Sequence, residues 1–232
     1  FTAPETSCVN TATQFINTTA PGFGFNCSSD VDFIWDFGDG SAPYETSTYE
    51  NVNHTYTSSG TYTVTLTADN NICDVTEYSQ TICIESLLNP TFTTNNNEGC
   101  VPYNIGLNNT TSLTDQCNAP TYEWIINYTA SFCGTTSGAN FINGTDSNSV
   151  NPEIDFTNPG TYELVLQATN SCGTSSSLPQ EIIVKSPPQV TINAIEDFCE
   201  TSSIITPSAA VDNCGPNSAA YSWSINVGTS PN

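Results

Sequence analysis

The chain is nearly devoid of positive charge. One Lys or Arg stands against 23 Asp and Glu in 232 residues, for a formal net charge of −22. Lys185 is that one cation, so a polyanion has nothing to bind and nucleic acid is excluded as a partner. Charge of either sign is scarce: 10% of residues carry it, against about 25% in an ordinary domain. Methionine is absent and His54 is the one histidine. No run approaches the roughly 18 to 20 apolar residues that a membrane helix needs, so no membrane insertion is expected in this segment. No basic stretch leading into an apolar one opens the chain, which reads as a processed or excised segment.

Thr, Ser and Asn fill the space, together with 14 Gly, 14 Pro and 10 Cys. High net charge with modest hydrophobicity is a signature of disorder, but an aromatic content of 10% and the Val/Ile/Thr-rich runs argue for a packed core. An even number of cysteines in so acidic a chain points to an oxidising compartment and disulfides. Zinc is the competing reading, and it lacks both a Cys-x-x-Cys pair and imidazoles beyond His54.

The chain repeats itself. Gly60-Thr61-Tyr62-Thr63-Val64-Thr65-Leu66-Thr67-Ala68 returns as Gly160-Thr161-Tyr162-Glu163-Leu164-Val165-Leu166-Gln167-Ala168, offset by 100. Tyr62, Val64, Leu66 and Ala68 share one face, as do Tyr162, Leu164, Leu166 and Ala168, which is the alternation of a half-buried strand. Trp35, Trp124 and Trp223 mark three copies about 90 to 100 residues apart, the size of a small β-sandwich. They are assigned to the structural core with Tyr62 and Tyr162. No sustained 3.6-residue period occurs, and turn residues recur too often for helices. Proline-bearing junctions at Leu87-Leu88-Asn89-Pro90 and Ser186-Pro187-Pro188 divide the chain into residues 1–86, 87–186 and 187–232. The third copy has no counterpart of the Gly-Thr-Tyr strand and is expected to be the first part of an incomplete domain.

The motifs Trp35-Asp36-Phe37-Gly38-Asp39-Gly40-Ser41, His54-Thr55-Tyr56 and the Gly60 strand, in that order, resemble the signature of the polycystic-kidney-disease (PKD) repeat. That family is an immunoglobulin-like β-sandwich of extracellular proteins. The second copy keeps Trp124 and the Gly160 strand, opens with Gly99-Cys100-Val101-Pro102, and carries Ile125-Ile126-Asn127-Tyr128 in place of the Gly-Asp-Gly turn. The third keeps Trp223 and also lacks the turn. The resemblance implies an all-β chain of tandem immunoglobulin-like (PKD-type) β-sandwiches. Acidic, cysteine-framed arrays of this kind are similar to those of large surface adhesins of gliding-type bacteria.

The cysteines of each copy predict local disulfides: Cys8–Cys27, Cys100–Cys117 and Cys199–Cys214 at matching places, Cys73–Cys83 across a hairpin, and Cys133–Cys172 within the second copy. Asp39 suits the Gly38-Asp39-Gly40 turn by accepting backbone N–H bonds. Asp36 and Asp39 are also the candidate calcium ligands, although turn chemistry favours the structural role and no clustered calcium loop exists. His54 is expected to be structural. With no Gly-x-Ser-x-Gly elbow, no phosphate loop and no His-Glu-x-x-His, no catalytic residue, cofactor or resident metal is expected, and the chain reads as a non-enzyme. Asn-x-Ser/Thr sequons make Asn17, Asn26, Asn53, Asn108, Asn109, Asn127 and Asn143 candidate glycosylation sites. Tyr44, Tyr49 and Tyr122 are candidate exposed aromatics for stacking on sugar rings.

Serial repeats, proline-stiffened junctions and missing catalytic groups imply a structural or adhesive segment of a large secreted or cell-surface protein, forming an extended stalk or filament. Its partners would be neighbouring repeats of the same chain, with surface polysaccharide or other cells as further candidates. Two alternatives remain open: an accessory polysaccharide- or protein-binding module of a secreted hydrolase, and a fibre subunit that polymerises by strand addition.

Overall fold

A computed structural model describes residues 1–20, 31–70, 75–130, 136–192, 208–212 and 222–224. Every regular element among them is a β-strand. The chain divides into two compact units: residues 1–91 with 110–122 and 167–177, and residues 92–109 with 123–166 and 178–232.

In the first unit, β1 (Thr6–Cys8), β2 (Ala12–Phe15), β3 (Asp32–Asp36), β4 (Tyr44–Thr46), β5 (Val52–Thr55), β6 (Gly60–Asp69) and β7 (Thr76–Glu85) follow one another. A five-stranded sheet runs β1-β7-β6-β3-β4, and β2 pairs with β5. The alternation along β6 works as its sequence requires. Val64 and Leu66 are buried and the intervening threonines are not, while Tyr62 and Ala68 pack partly buried at either end. Phe33 and Trp35 of β3 and Ile82 and Ile84 of β7 face the same way and meet Phe15 of β2 and Val52 of β5, closing a sandwich. Burying each such side chain is worth about 1.5 to 3 kcal/mol, which a thin two-layer domain needs.

The remaining strands are β8 (Phe92–Thr94), β9 (Glu98–Cys100), β10 (Tyr103–Asn109), β11 (Thr121–Ala130), β12 (Ala139–Ile142), β13 (Glu153–Phe156), β14 (Gly160–Asn170), β15 (Gly173–Ser176) and β16 (Gln180–Lys185), then β17 (Gln189–Ile192) and β18 (Ala209–Asp212). One sheet runs β12-β13-β10-β8 and another β11-β14-β16-β9, with β15 paired to the end of β14. Tyr162, Leu164, Leu166 and Ala168 of β14 are fully buried, and Trp124 of β11 is 3% exposed. Where the first copy turns after Asp36, β11 runs on through Asn127 to Ala130.

The two sequence copies repeat individual hydrogen bonds. β1 lies parallel to β7 and β9 parallel to β16. Val9 N–H donates to Glu85 O at 3.0 Å and Cys83 N–H to Glu5 O at 3.0 Å; Val101 N–H donates to Lys185 O at 2.9 Å and Ile183 N–H to Asn97 O at 2.8 Å. The tyrosine that opens each long strand donates back to a carbonyl four residues earlier, Tyr62 to Ser58 at 2.9 Å and Tyr162 to Asn158 at 2.8 Å. That backward bond is the tyrosine corner of immunoglobulin-like sandwiches. Both copies are immunoglobulin-like.

The third copy departs from expectation. β17 pairs with β18, and Val190 and Ile192 are 57% and 61% exposed. Trp223 is 48% exposed, which corrects its assignment to the core. Among the described residues no hydrophobic side chain after Val184 is buried.

Candidate functional site

The turn that the sequence singles out begins where β3 ends. Gly38 and Gly40 take φ of +75° and +81°, a region open to glycine. Asp36 Oδ1 accepts from Gly38 N–H at 2.8 Å. Asp39 Oδ1 accepts from the Ser41 N–H at 3.0 Å and the Ser41 hydroxyl at 2.6 Å. His54 Nε2 lies 2.8 Å from Asp39 Oδ2, and its ring stacks on Phe37 at 4.0 Å with Tyr56 edge-on at 4.7 Å. Tyr56 in turn donates to Phe37 O at 3.1 Å. Burial alone would raise the Asp39 carboxyl; the bonds from Ser41 and His54 and the charge on His54 outweigh it and bring it to about 2. Burial, together with the charges on Asp39, Tyr62 and Asp36, pushes the Tyr56 phenol well above its ordinary range.

Ser41, His54 and Asp39 therefore sit together, but in the wrong order for nucleophilic catalysis. Serine and histidine both bond to the aspartate, on different oxygens, and no hydrogen bond joins the hydroxyl to the imidazole that would have to take its proton. Both carboxylates are engaged with the turn. Among the described residues no three His, Cys, Asp or Glu side chains converge as a metal site would require.

A second cluster was not visible in the sequence, and it lies entirely within the first unit. Glu85, at the end of β7, is 0% exposed. Its Oε1 accepts from Cys117 N–H at 2.7 Å and Asn118 N–H at 3.1 Å, and its Oε2 accepts from the Ser171 hydroxyl. Burial pushes the Glu85 carboxyl up, and these bonds more than offset it, holding it below the ordinary glutamate range. Next to it, Asn170 Nδ2 donates to Ser86 O and to Gln116 Oε1, both at 2.7 Å.

Two disulfides flank this carboxylate: Cys83–Cys117 and Cys8–Cys172, with Cα separations of 5.9 and 5.6 Å. They correct the local pairing. Cys8 is not joined to Cys27, nor Cys73 to Cys83, nor Cys100 to Cys117, nor Cys133 to Cys172. The reason is the sheet register. The parallel pairing of β1 with β7 sets Cys8 opposite Glu85 and brings both cysteine-bearing strand ends to one patch, where residues 116–118 and 170–172 arrive. Cys100 is a free, exposed thiol. Cys27, Cys73, Cys133 and the Cys199–Cys214 pair lie outside the described residues.

Among the sequon asparagines, Asn53, Asn108, Asn127 and Asn143 are exposed, and Asn26 lies outside the described residues. The Nδ2 atoms of Asn17 and Asn109 are buried, so a glycan there would require the chain to open. Tyr44 and Tyr49 are 45% and 44% exposed. Tyr122 is not exposed: it shares the inward face of β11 with Trp124, which removes it from the candidate sugar platforms. Lys185 is paired with Glu98 at 2.9 Å.

Residues 8–81 match the model of the PKD domain. The matched stretch covers the turn, His54 and most of the first sandwich. No curated protein matches the chain. Among solved structures, an I-band fragment I67–I69 from titin is 14% identical, with a TM-score of 0.46 over 79% of this chain and 62% of that one. Murine CEACAM1b is 12% identical, with a TM-score of 0.37 over 78% and 97% of the two chains. A C-terminal 282-residue fragment of intimin, in complex with the intimin-binding domain of its translocated receptor, is 13% identical, with a TM-score of 0.39 over 83% and 65%.

Proposed function

We propose that this chain is a structural repeat segment of a large secreted or cell-surface protein, in which PKD-type modules in series form an extended stalk. The observation that carries the proposal is the recurrence of the same strand-pairing bonds and the same tyrosine corner in two successive copies, within a covalently cross-linked chain. The polar clusters support it, because their side chains are engaged in holding a turn and the end of β7 rather than facing a substrate. A net charge of −22 keeps neighbouring stalks apart, and one Lys or Arg leaves trypsin almost nothing to cut, both useful outside a cell. Repeat boundaries at residues 87–90 and 186–188 belong to this proposal, as do neighbouring repeats as partners and glycans on the exposed sequons.

Small-angle scattering of the segment tests it. An elongated distance distribution with a long tail is the expected result, and a single symmetric peak of a compact particle would contradict it.

One observation favours a second reading, polysaccharide binding. Tyr44 lies half exposed beside a depression lined by Ser41, Glu50, Asn51, Asn53 and His54. A sugar ring over a tyrosine face with amide and carboxylate partners fits that chemistry. Binding of a soluble glucan or chitin oligomer, abolished by Tyr44→Ala, would support it; no binding at millimolar sugar would remove it.

A further inference from the structure

We propose that the two disulfides take most of the chain out of the line of tension and hold it as a length reserve that a dithiol reductant releases. The inference rests on reading the segment as a stalk that bears load, and it follows from the covalent map. Cys8 is joined to Cys172 across a sequence separation of 164, and Cys83 to Cys117 across 34. Residues 83 and 117 both lie between 8 and 172, so the loops are nested. Force entering the chain ahead of Cys8 crosses directly to Cys172 through a sulfur bridge whose Cα atoms stand 5.6 Å apart. The segment at residues 8–81 that matches the PKD model and the strands through the end of β14 are thereby shielded, whatever happens to their hydrogen bonds.

Three features hold the bypass closed. Glu85, with no exposed surface, ties residue 85 to Cys117, Asn118 and Ser171, next to both bridges. Cys172 Sγ lies 3.5 Å from Glu85 O, against the end of β7. Thiol–disulfide exchange proceeds by attack of a thiolate, and a buried carboxylate in a chain of net charge −22 repels one. Opening still balances chemically. One thiolate of a dithiol attacks a bridge sulfur and forms a mixed disulfide, and its second thiol closes a ring and expels the protein sulfur. Two electrons and two protons thus pass to the protein cysteines, and the reductant leaves as a cyclic disulfide.

The lengths are fixed by chain geometry at up to about 3.6 Å per residue. Of the described bridges, opening the outer one alone frees at most the 164-residue loop less the 34-residue inner one, up to roughly 470 Å of contour. Opening the inner bridge then frees roughly 120 Å more.

The test is single-molecule pulling of the whole 232-residue chain, held by peptide tags at its two ends so that no thiol chemistry is used for attachment. The readout is the length of the fully stretched chain, which does not require a variant to fold. Without reductant, Cys8→Ala/Cys172→Ala should stretch further than the wild type, by up to roughly 470 Å. Adding a dithiol should close that gap and lengthen both chains. Equal lengths for the wild type and the variant without reductant would overturn the proposal while leaving the stalk reading intact. A compact particle by scattering would overturn the stalk reading, and with it the role in bearing load, while leaving the measured length difference in place.

Discussion

At the scale of single residues, space and backbone angle separate two glycines that the sequence places in one turn. A Cβ on Gly38 would overlap the backbone carbonyl of Thr63, whereas one on Gly40 would meet nothing within 4 Å. Both have positive φ, which costs a non-glycine residue about 1 to 2 kcal/mol. Gly40→Ala should therefore lose about that much and no more, and Gly38→Ala clearly more because a strand backbone must move. Chemical denaturation of the two variants decides it, and equal losses would refute the turn geometry. Asp39 supplies a pH signature. Its folded value of about 2 lies below the roughly 3.9 of an unfolded aspartate, so its contribution is complete above that unfolded value and is lost as pH falls towards 2. Glu85, also depressed, acts in the same direction. The stability gap between the wild type and Asp39→Asn should narrow steadily between about pH 4.5 and pH 2. A gap independent of pH would show that the carboxylate charge plays no part in the turn.

At the scale of elements, the strands were legible because a period of two is written in β6 and, but for Val165, in β14: threonines or polar residues on one side, Tyr, Val, Leu or Ala on the other. Trp35 and Trp124 were legible as core because a tryptophan recurs once per copy, each closing a short aromatic or β-branched run. Trp223 was not, because a tryptophan in a β-branched run reads alike whether or not a facing sheet exists to bury it. The tyrosine corner was present in the sequence only as Tyr62 and Tyr162; the bond that defines it depends on the backbone four residues upstream. Tyr162→Phe removes that bond and also the acceptor for Gly138 N–H at 3.1 Å, leaving a buried donor unpaired. It should cost about 1 to 3 kcal/mol. Tyr62→Phe loses one exposed bond and should cost less than half as much, measured by urea midpoint on the same chain. Indistinguishable variants would mean that the corner adds nothing beyond ring burial.

At the scale of the whole molecule, the covalent map is where sequence reading failed. Matching intervals between cysteines suggested staples inside each copy, yet spacing does not determine connectivity, and ten cysteines admit a great many pairings. What decides it is the parallel strand that returns Cys8 to the end of β7, a non-local contact that leaves no periodic trace. Glu85 was illegible for a related reason: nothing local marks one glutamate among 23 acidic residues as the buried one. The long bridges also change what a repeat means here, since cysteines of the first sequence copy are joined to cysteines of the second. Peptide mapping of the unreduced protein after cleavage at Asp and Glu tests this most directly. The peptide Thr6–Asp30 should be recovered bonded through Cys8 to Cys172 in Leu164–Glu181, and Tyr78–Glu85 bonded to Gln116–Glu123. A Thr6–Asp30 peptide closed on itself through Cys8 and Cys27 would contradict the account.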